Sequence, residues 1–460
     1  MATWFNELPT ERVQQILVHT LASQHDPLRR ATFAVRQSFT LARVNRSLRE
    51  LAINTPLLWT TIDLNCQKVA YPMVTIWMTY LALLLERSRQ ALLDIRLFWI
   101  DSEHVAPVFR RVSSLDPVSW PTASATEFGP LSAVLQESHR WRSLLVSATA
   151  MKTELQKVFL SVPLRQLEAL AVCYDHSFEV TDGLLQNAPN LKELSVPALM
   201  FTRNGLTGQQ LTQLSRLEIH SVFHGDGFEA FFQSLRLCGG TSNATAAPLK
   251  DLTLSAGSRS SLSHLPRGGE LNFPHVERLF LNGHTIWAFA SLAKMLLFPA
   301  LRTVSIVNFE TGQVPHHSFI QLCCGAVHSL NIQTSGPSII PPTSAGLITD
   351  ILSWCLELRE LSISGYTLCI ADVQALLASS VPLKTQTACR RPGDLLELIS
   401  LPFGAFDKEN RNAIVSQLLH FVELRSKASV VPAKLRRLDL PGHHDPDAQV
   451  LQITIRAMLE

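Results

Sequence analysis

Two histidine-bearing stretches are where this chain could first be suspected of chemistry. "PGHHDPD", Pro441 to Asp447, carries His443, His444, Asp445 and Asp447. Imidazoles and carboxylates are metal ligands, but a site needs three or four of them aimed at one point, which adjacent loop histidines rarely achieve. The stretch follows a strand pattern directly, so a polar turn is expected, and "VPHHSF" around His316 and His317 reads the same way. Cys323 and Cys324 sit in an apolar helical pattern, as core thiols do. None of the eight cysteines forms a C-x-x-C pair, so a zinc site has no support. No G-x-S-x-G elbow, G-x-x-x-x-G-K-[ST] loop, G-x-G-x-x-G turn or H-E-x-x-H helix occurs. A hydrolase or metalloenzyme is disfavoured, and no enzymatic activity, cofactor or metal is expected.

The elements that would have to position any such groups point elsewhere. The chain has 460 residues, 46% of them hydrophobic, enough for a large core. Its net charge of +2 and scattered arginines give no basic face for nucleic acid. "MATWFNELPTER" has neither a basic start nor an apolar signal core, so a cytoplasmic or nuclear location is expected. "VAYPMVTIWMTYLALLL", Val69 to Leu85, carries no charge. It is short for a span of about 20 residues and contains Pro72, so it predicts a buried helix from near Pro72, with no membrane contact.

One template, L-x-x-L-x-L, recurs along the chain. It begins with Trp59, Ile62 and Leu64 in "LWTTIDL", which reads as a strand. It returns at Leu92, Trp141, Leu167, Leu191, Leu214, Leu249, Val276, Leu301, Val327, Leu358, Leu396 and Leu435. Helical patterns fill the gaps, as in "LITDILSWCLELRELSI", where Ile348, Ile351 and Leu352 form one stripe. A period in the twenties with this template is the leucine-rich-repeat signature. Each unit has one apolar helix face and one short strand, so it must stack on its neighbours. The array is irregular, with loops expected near residues 102–128, 236–272 and 381–394; a strand is missing at the last.

The N-terminal segment is patterned differently. "NELPTERVQQIL" predicts a helix from about Pro9 to Leu21. "FTLARVNRSLRELAIN" predicts a second, with Leu41, Val44, Leu48 and Leu51 on one stripe. Asn54-Thr55-Pro56 stops it. A segment of about fifty residues buries little alone, so its apolar residues suggest a partner surface, or a cap on the array.

These residues resemble the F-box. Leu8, Pro9, Glu11, Val13, Ile16 and Leu17 match its LPxE(I/L)LxxI(F/L) start; Val44, Arg46 and Arg49 match its second helix, with Leu48 where the family usually has Trp. With "TPLLWTTIDL", "LLERSRQALLDIRL" and "SHRWRSLLV", the chain looks like the F-box/leucine-rich-repeat proteins of mushroom-forming fungi. The resemblance implies an α/β chain: an all-helical F-box domain at residues 4–65, then an irregular leucine-rich-repeat solenoid at 66–460. The solenoid would be a parallel curved sheet of about a dozen strands with outer helices.

The resemblance also implies a function: substrate recognition for an SCF-type cullin ubiquitin ligase. Leu8, Pro9, Glu11, Val13, Ile16, Leu17, Val44, Arg46 and Leu48 would dock a Skp-type adaptor, which joins the cullin scaffold. The repeats would hold a protein substrate on outward-facing strand positions, where Glu193, Arg216, Asp251, Arg278, Thr303 and Glu360 stand. Their mixed charge suits a polar protein and not lipid or nucleic acid. The alternative is a repeat scaffold that binds a partner without a ligase.

Overall fold

Each copy of the template carries a strand. Strands β1 (Thr61–Asn65), β2 (Leu93–Trp99), β3 (Trp141–Ala148), β4 (Ala169–Cys173) and β5 (Glu193–Pro197) lie in one compact unit, Met1–Leu214. The other unit, Ser215–Glu460, holds β6 (Arg216–His220), β7 (Asp251–Ser255), β8 (Leu271–Asn272), β9 (Arg278–Asn282), β10 (Leu296–Leu297) and β11 (Thr303–Phe309). It continues with β12 (Ser329–Thr334), β13 (Glu360–Ser364), β14 (Leu398–Ser400) and β15 (Arg437–Asp439). The structure is a computed structural model. It describes residues 9, 11–16, 39–40, 42–65, 74–99, 133–148, 162–173, 187–197, 213–220, 249–255, 271–282, 285–286, 296–309, 314–334, 347–366, 368–379, 393–401, 410–427, 433–440 and 446–459.

Within each unit the template strands pair in chain order, all parallel, in an open arrangement. β8 and β10 pair only with each other, in a short second ladder beside the stacked rings of Phe273 and Phe298. The fold is therefore α/β with open parallel pairing. Register explains why the template repeats. Leu217, Leu252, Leu279, Val304, Leu330, Leu361, Ile399 and Leu438 are matched strand to strand. All are buried. Because side chains alternate with period two, the residues between them face the solvent side, as the burial of β6, β7, β9 and β13 shows. One template residue is displaced. Leu92 is only half-buried, and Leu93 takes the core position opposite Trp141 across a register shift.

Helices α1 (Arg46–Ile53) and α2 (Val74–Ser88) belong to the first unit. α3 (Val314–Cys323), α4 (Leu347–Trp354), α5 (Ile370–Ala378), α6 (Arg411–Ser426) and α7 (Pro446–Leu459) belong to the second, and each packs on the next. Buried polar groups tie the turns. Asp372 accepts from Ile348 N at 2.9 Å, Tyr366 Oη at 2.9 Å and Cys369 N at 3.1 Å, fastening the start of α4 to the start of α5. Arg425 of α6 donates to the carbonyls of Gly393 and Leu396, and burial lowers its guanidinium to about 10. Trp59 and Trp141 open two copies of the template and share one device. Each indole donates to the carbonyl seven residues earlier, Ala52 at 2.6 Å and Val134 at 3.2 Å.

Several expectations change in detail. The second N-terminal helix is broken at Asn45, which is extended and caps α1 by accepting from Leu48 N at 2.8 Å. An Asx side chain offers the backbone this alternative to continuing a helix. The strand at "LWTTIDL" starts at Thr61, because Pro56–Trp59 is a 3-10 turn that swings Trp59 inward. The apolar stretch forms α2 from Val74, with Leu81, Leu84 and Ser88 buried and Thr79, Ala82 and Glu86 exposed. Among the described residues no helix is long and apolar enough to cross a membrane. Leu271 and Asn272, inside an expected loop, form β8. "VPHHSF" lies in helix α3, not a turn. β13 pairs directly with β14; residues 102–128 and 381–392 lie outside the described ones.

Candidate functional site

Two surfaces gather the residues singled out above. The first is the N-terminal segment. Residues 11–16 are helical and start on the Pro9 carbonyl, which accepts from Arg12 N at 2.9 Å and Val13 N at 3.2 Å. Pro9 and Glu11 are exposed and Val13 is buried, while Ile16 is 45% exposed. Val44, just before the Asn45 break, is 60% exposed, and Leu48 is half-buried. Arg46 pairs with Glu50 at 3.0 Å on open surface, a contact worth only about 0.3–0.5 kcal/mol. Leu8 and Leu17 lie outside the described residues. The sequence did not single out Leu57, which is 57% exposed because Pro56 and the inward Trp59 turn it to solvent. Phe39 packs edge-on to Trp59 at 5.2 Å and stacks on Tyr80 at 5.3 Å; Arg87 covers the Trp59 ring at 4.4 Å. The 3-10 turn thereby packs on both α1 and α2.

The second surface is the solvent side of the strands of the second unit. Arg216, Asp251, Arg278 and Thr303 are consecutive in register, and Glu360 follows beyond Ser329. Glu193 stands in the other unit, opposite Ala169. These residues do not all await a ligand. Arg278 grips Asp251 through Nε and Nη2, and this hydrogen bond raises its pKa. Arg216 lies 3.7 Å from Glu218. The same pairing recurs where Arg142 holds Asp94 through two nitrogens, Lys192 meets Glu168 at 2.7 Å and Arg436 meets Glu397 at 3.0 Å. In each unit some of the outward charges are thus paired with a neighbouring repeat.

Two further rows share that face and were not picked out from the sequence. The central row runs Glu218, Thr253, Phe280, Ser305, Asn331, Ser362 and Ser400. The leading row, one residue after the first template apolar, includes Lys250, Glu277, Arg302, His328, Arg359 and Glu397, linked by backbone hydrogen bonds of 2.8–2.9 Å. The period of two was the available signal for the central row; the leading row lies just before the strands begin, where alternation does not yet hold.

The described chemical groups lie on helices or in the core. His317 stacks on Phe309 and meets the edge of Trp354 at 5.7 Å, with Nδ1 3.4 Å from Asp350. Cys323 and Cys355 are pushed up to about 12 by burial, and Cys324 well above its usual value, so their thiols are poor nucleophiles at neutral pH. Asp447 belongs to α7, and residues 441–445 lie outside the described ones. Among the described residues no three His, Cys, Asp or Glu side chains are placed to hold a metal. No protein-family model matches this sequence, and no curated protein is significantly similar to it.

Proposed function

We propose that this chain is the substrate-recognition subunit of an SCF-type cullin ubiquitin ligase. In this reading residues 4–65 are an F-box that docks a Skp-type adaptor, and residues 66–460 are a leucine-rich-repeat solenoid that holds a protein substrate. The observation that carries it is the exposure of Ile16 and Val44, on helical turns whose residues resemble the F-box. Covering the exposed half of such a side chain is worth about 1 kcal/mol, so leaving two of them open favours a partner that covers them. Val13 serves the interior of the segment, and docking falls to Ile16, Val44 and the exposed Leu57. The parallel pairing of one strand per template, with a helix packed on the next helix, supports the solenoid half.

The test is affinity purification of the full chain from cells that make a Skp-type adaptor and a cullin. Both should co-purify. Recovery of a folded chain with neither would sink the proposal and favour the scaffold that binds a partner without a ligase.

A further inference from the structure

We propose that Arg302, His328 and Arg359 form an anion-recognition strip for an extended, acidic segment of a partner protein. The inference rests on the reading of the strand face as the substrate surface, and names the chemistry that surface takes. His328 N donates to Arg302 O, and Arg359 N to His328 O, both at 2.8 Å, so the three occupy one row on adjacent strands. Arg302 and Arg359 are exposed and His328 is half-buried.

What distinguishes the strip is that its charges are not spent. Arg142, Lys192 and Arg436 hold the same position in other repeats and are each paired with a carboxylate of the neighbouring repeat. The side chains of Arg302, His328 and Arg359 make no ion pair or hydrogen bond with any described residue. In the first unit Arg142, at the same template position, bonds Asp94 at the first outward strand position, so these two template positions face the same side of their strands. Next to the strip that surface offers Thr303 and Ser329, then Ser305, Asn331 and Ser362, hydroxyls and an amide with no side-chain bond of their own.

Spacing defines the ligand. Strands lie about 4.8 Å apart, so Arg302 and Arg359 are roughly 10 Å apart along the row. A chain in the extended polyproline II conformation advances about 3.1 Å per residue and returns to the same side every third residue, so carboxylates three residues apart reach both guanidiniums. The serine hydroxyls and Asn331 amide can serve the intervening peptide groups. Guanidinium is the side chain best suited to carboxylate, through paired, charge-assisted hydrogen bonds. Glu277 and Glu360 border the strip, and Glu277 reinforces Arg278 electrostatically. They repel a dense polyanion such as nucleic acid and favour spaced carboxylates.

The test is selection from a phage-displayed library of random twelve-residue peptides on the full chain. Recovered peptides should be rich in Asp and Glu at a spacing of about three residues. A synthetic peptide of the selected sequence should bind at least about tenfold more weakly to the R302E/R359E variant. The R456E variant, exposed on helix α7 away from the strand face, should bind it as the unaltered chain does. A library that yields no acidic preference, or binding undiminished in a folded R302E/R359E chain, overturns the proposal. Binding only when phosphoserine replaces the carboxylates overturns the carboxylate assignment. Adaptor binding in the same preparation separates the two failures: retained, only the strip is wrong; lost as well, the receptor reading fails with it.

Discussion

The N-terminal segment and the repeats dispose of apolar side chains in opposite ways. In the repeats nearly every template residue is buried, and where Leu92 is not, Leu93 shifts into its place. In the N-terminal segment the pattern is as regular, yet Ile16 and Val44 are exposed, while among the described residues 11–16 Val13 alone is buried. Periodicity thus predicts which face is apolar, not what covers it. In a repeat the neighbouring unit supplies the cover, since a single strand and helix cannot close their own core. The N-terminal turns have no such neighbour among the described residues beyond the Trp59 cluster. Val450 and Ile453 of α7 are also exposed. They lie on the last helix of the second unit, where no further described helix packs.

The comparison breaks first, and most severely, at the tryptophans. Trp141 is fully buried and bonded to Val134 O. Trp141→Ala should cost about 3–5 kcal/mol, read from the denaturation midpoint of the first unit; a shift under a third of that would show the site collapsing around the gap. The next largest effect belongs to Asp372, fully buried with donors from both α4 and α5. Asp372→Ala leaves those donors unmet and should cost about 2–4 kcal/mol. Amide exchange should rise at Ile348 and Cys369, and protection unchanged there would remove Asp372 as the clasp. The cross-strand pairs should matter least. Removing Arg278 and Asp251 together should change stability by less than about 1 kcal/mol, because the arginine head lies in solvent. A larger loss would mean that these rungs hold the sheet instead of decorating it.

Much of the fold was legible in the sequence. Thirteen copies of one template gave thirteen paired strands, five in one unit and eight in the other. The stripe Ile348, Ile351 and Leu352 became the buried face of α4. What escaped was set by single side chains acting on the backbone. Asn45 breaks a helix that propensity and stripe both carry through, by capping the next one. Trp59 pulls "PLLW" into a 3-10 turn by finding the Ala52 carbonyl, and this exposes Leu57. Neither effect is visible in periodicity, because each depends on one hydrogen bond. The strand face was legible as a face but not in its electrostatics. Arg278 and Asp251 read as two charges available to a ligand, and register brings them together. Arg302 and Arg359 looked unremarkable because their significance is the pairing they lack, known only once neighbouring strands are placed.

The central claim is that the open apolar residues of the N-terminal segment are open for an adaptor. The measurement is calorimetric titration of a purified Skp-type adaptor into the full chain and into its I16D/V44D variant, beside thermal melts of both. Both side chains are exposed, so the substitutions should alter stability by less than about 0.5 kcal/mol. Two half-exposed apolar side chains, each worth about 1 kcal/mol when covered, should vanish from binding, a loss of at least about tenfold in affinity. That weakening with an unchanged melt is the predicted result. Equal binding by the variant, or a collapsed melt showing that these residues cap the array, would contradict the account.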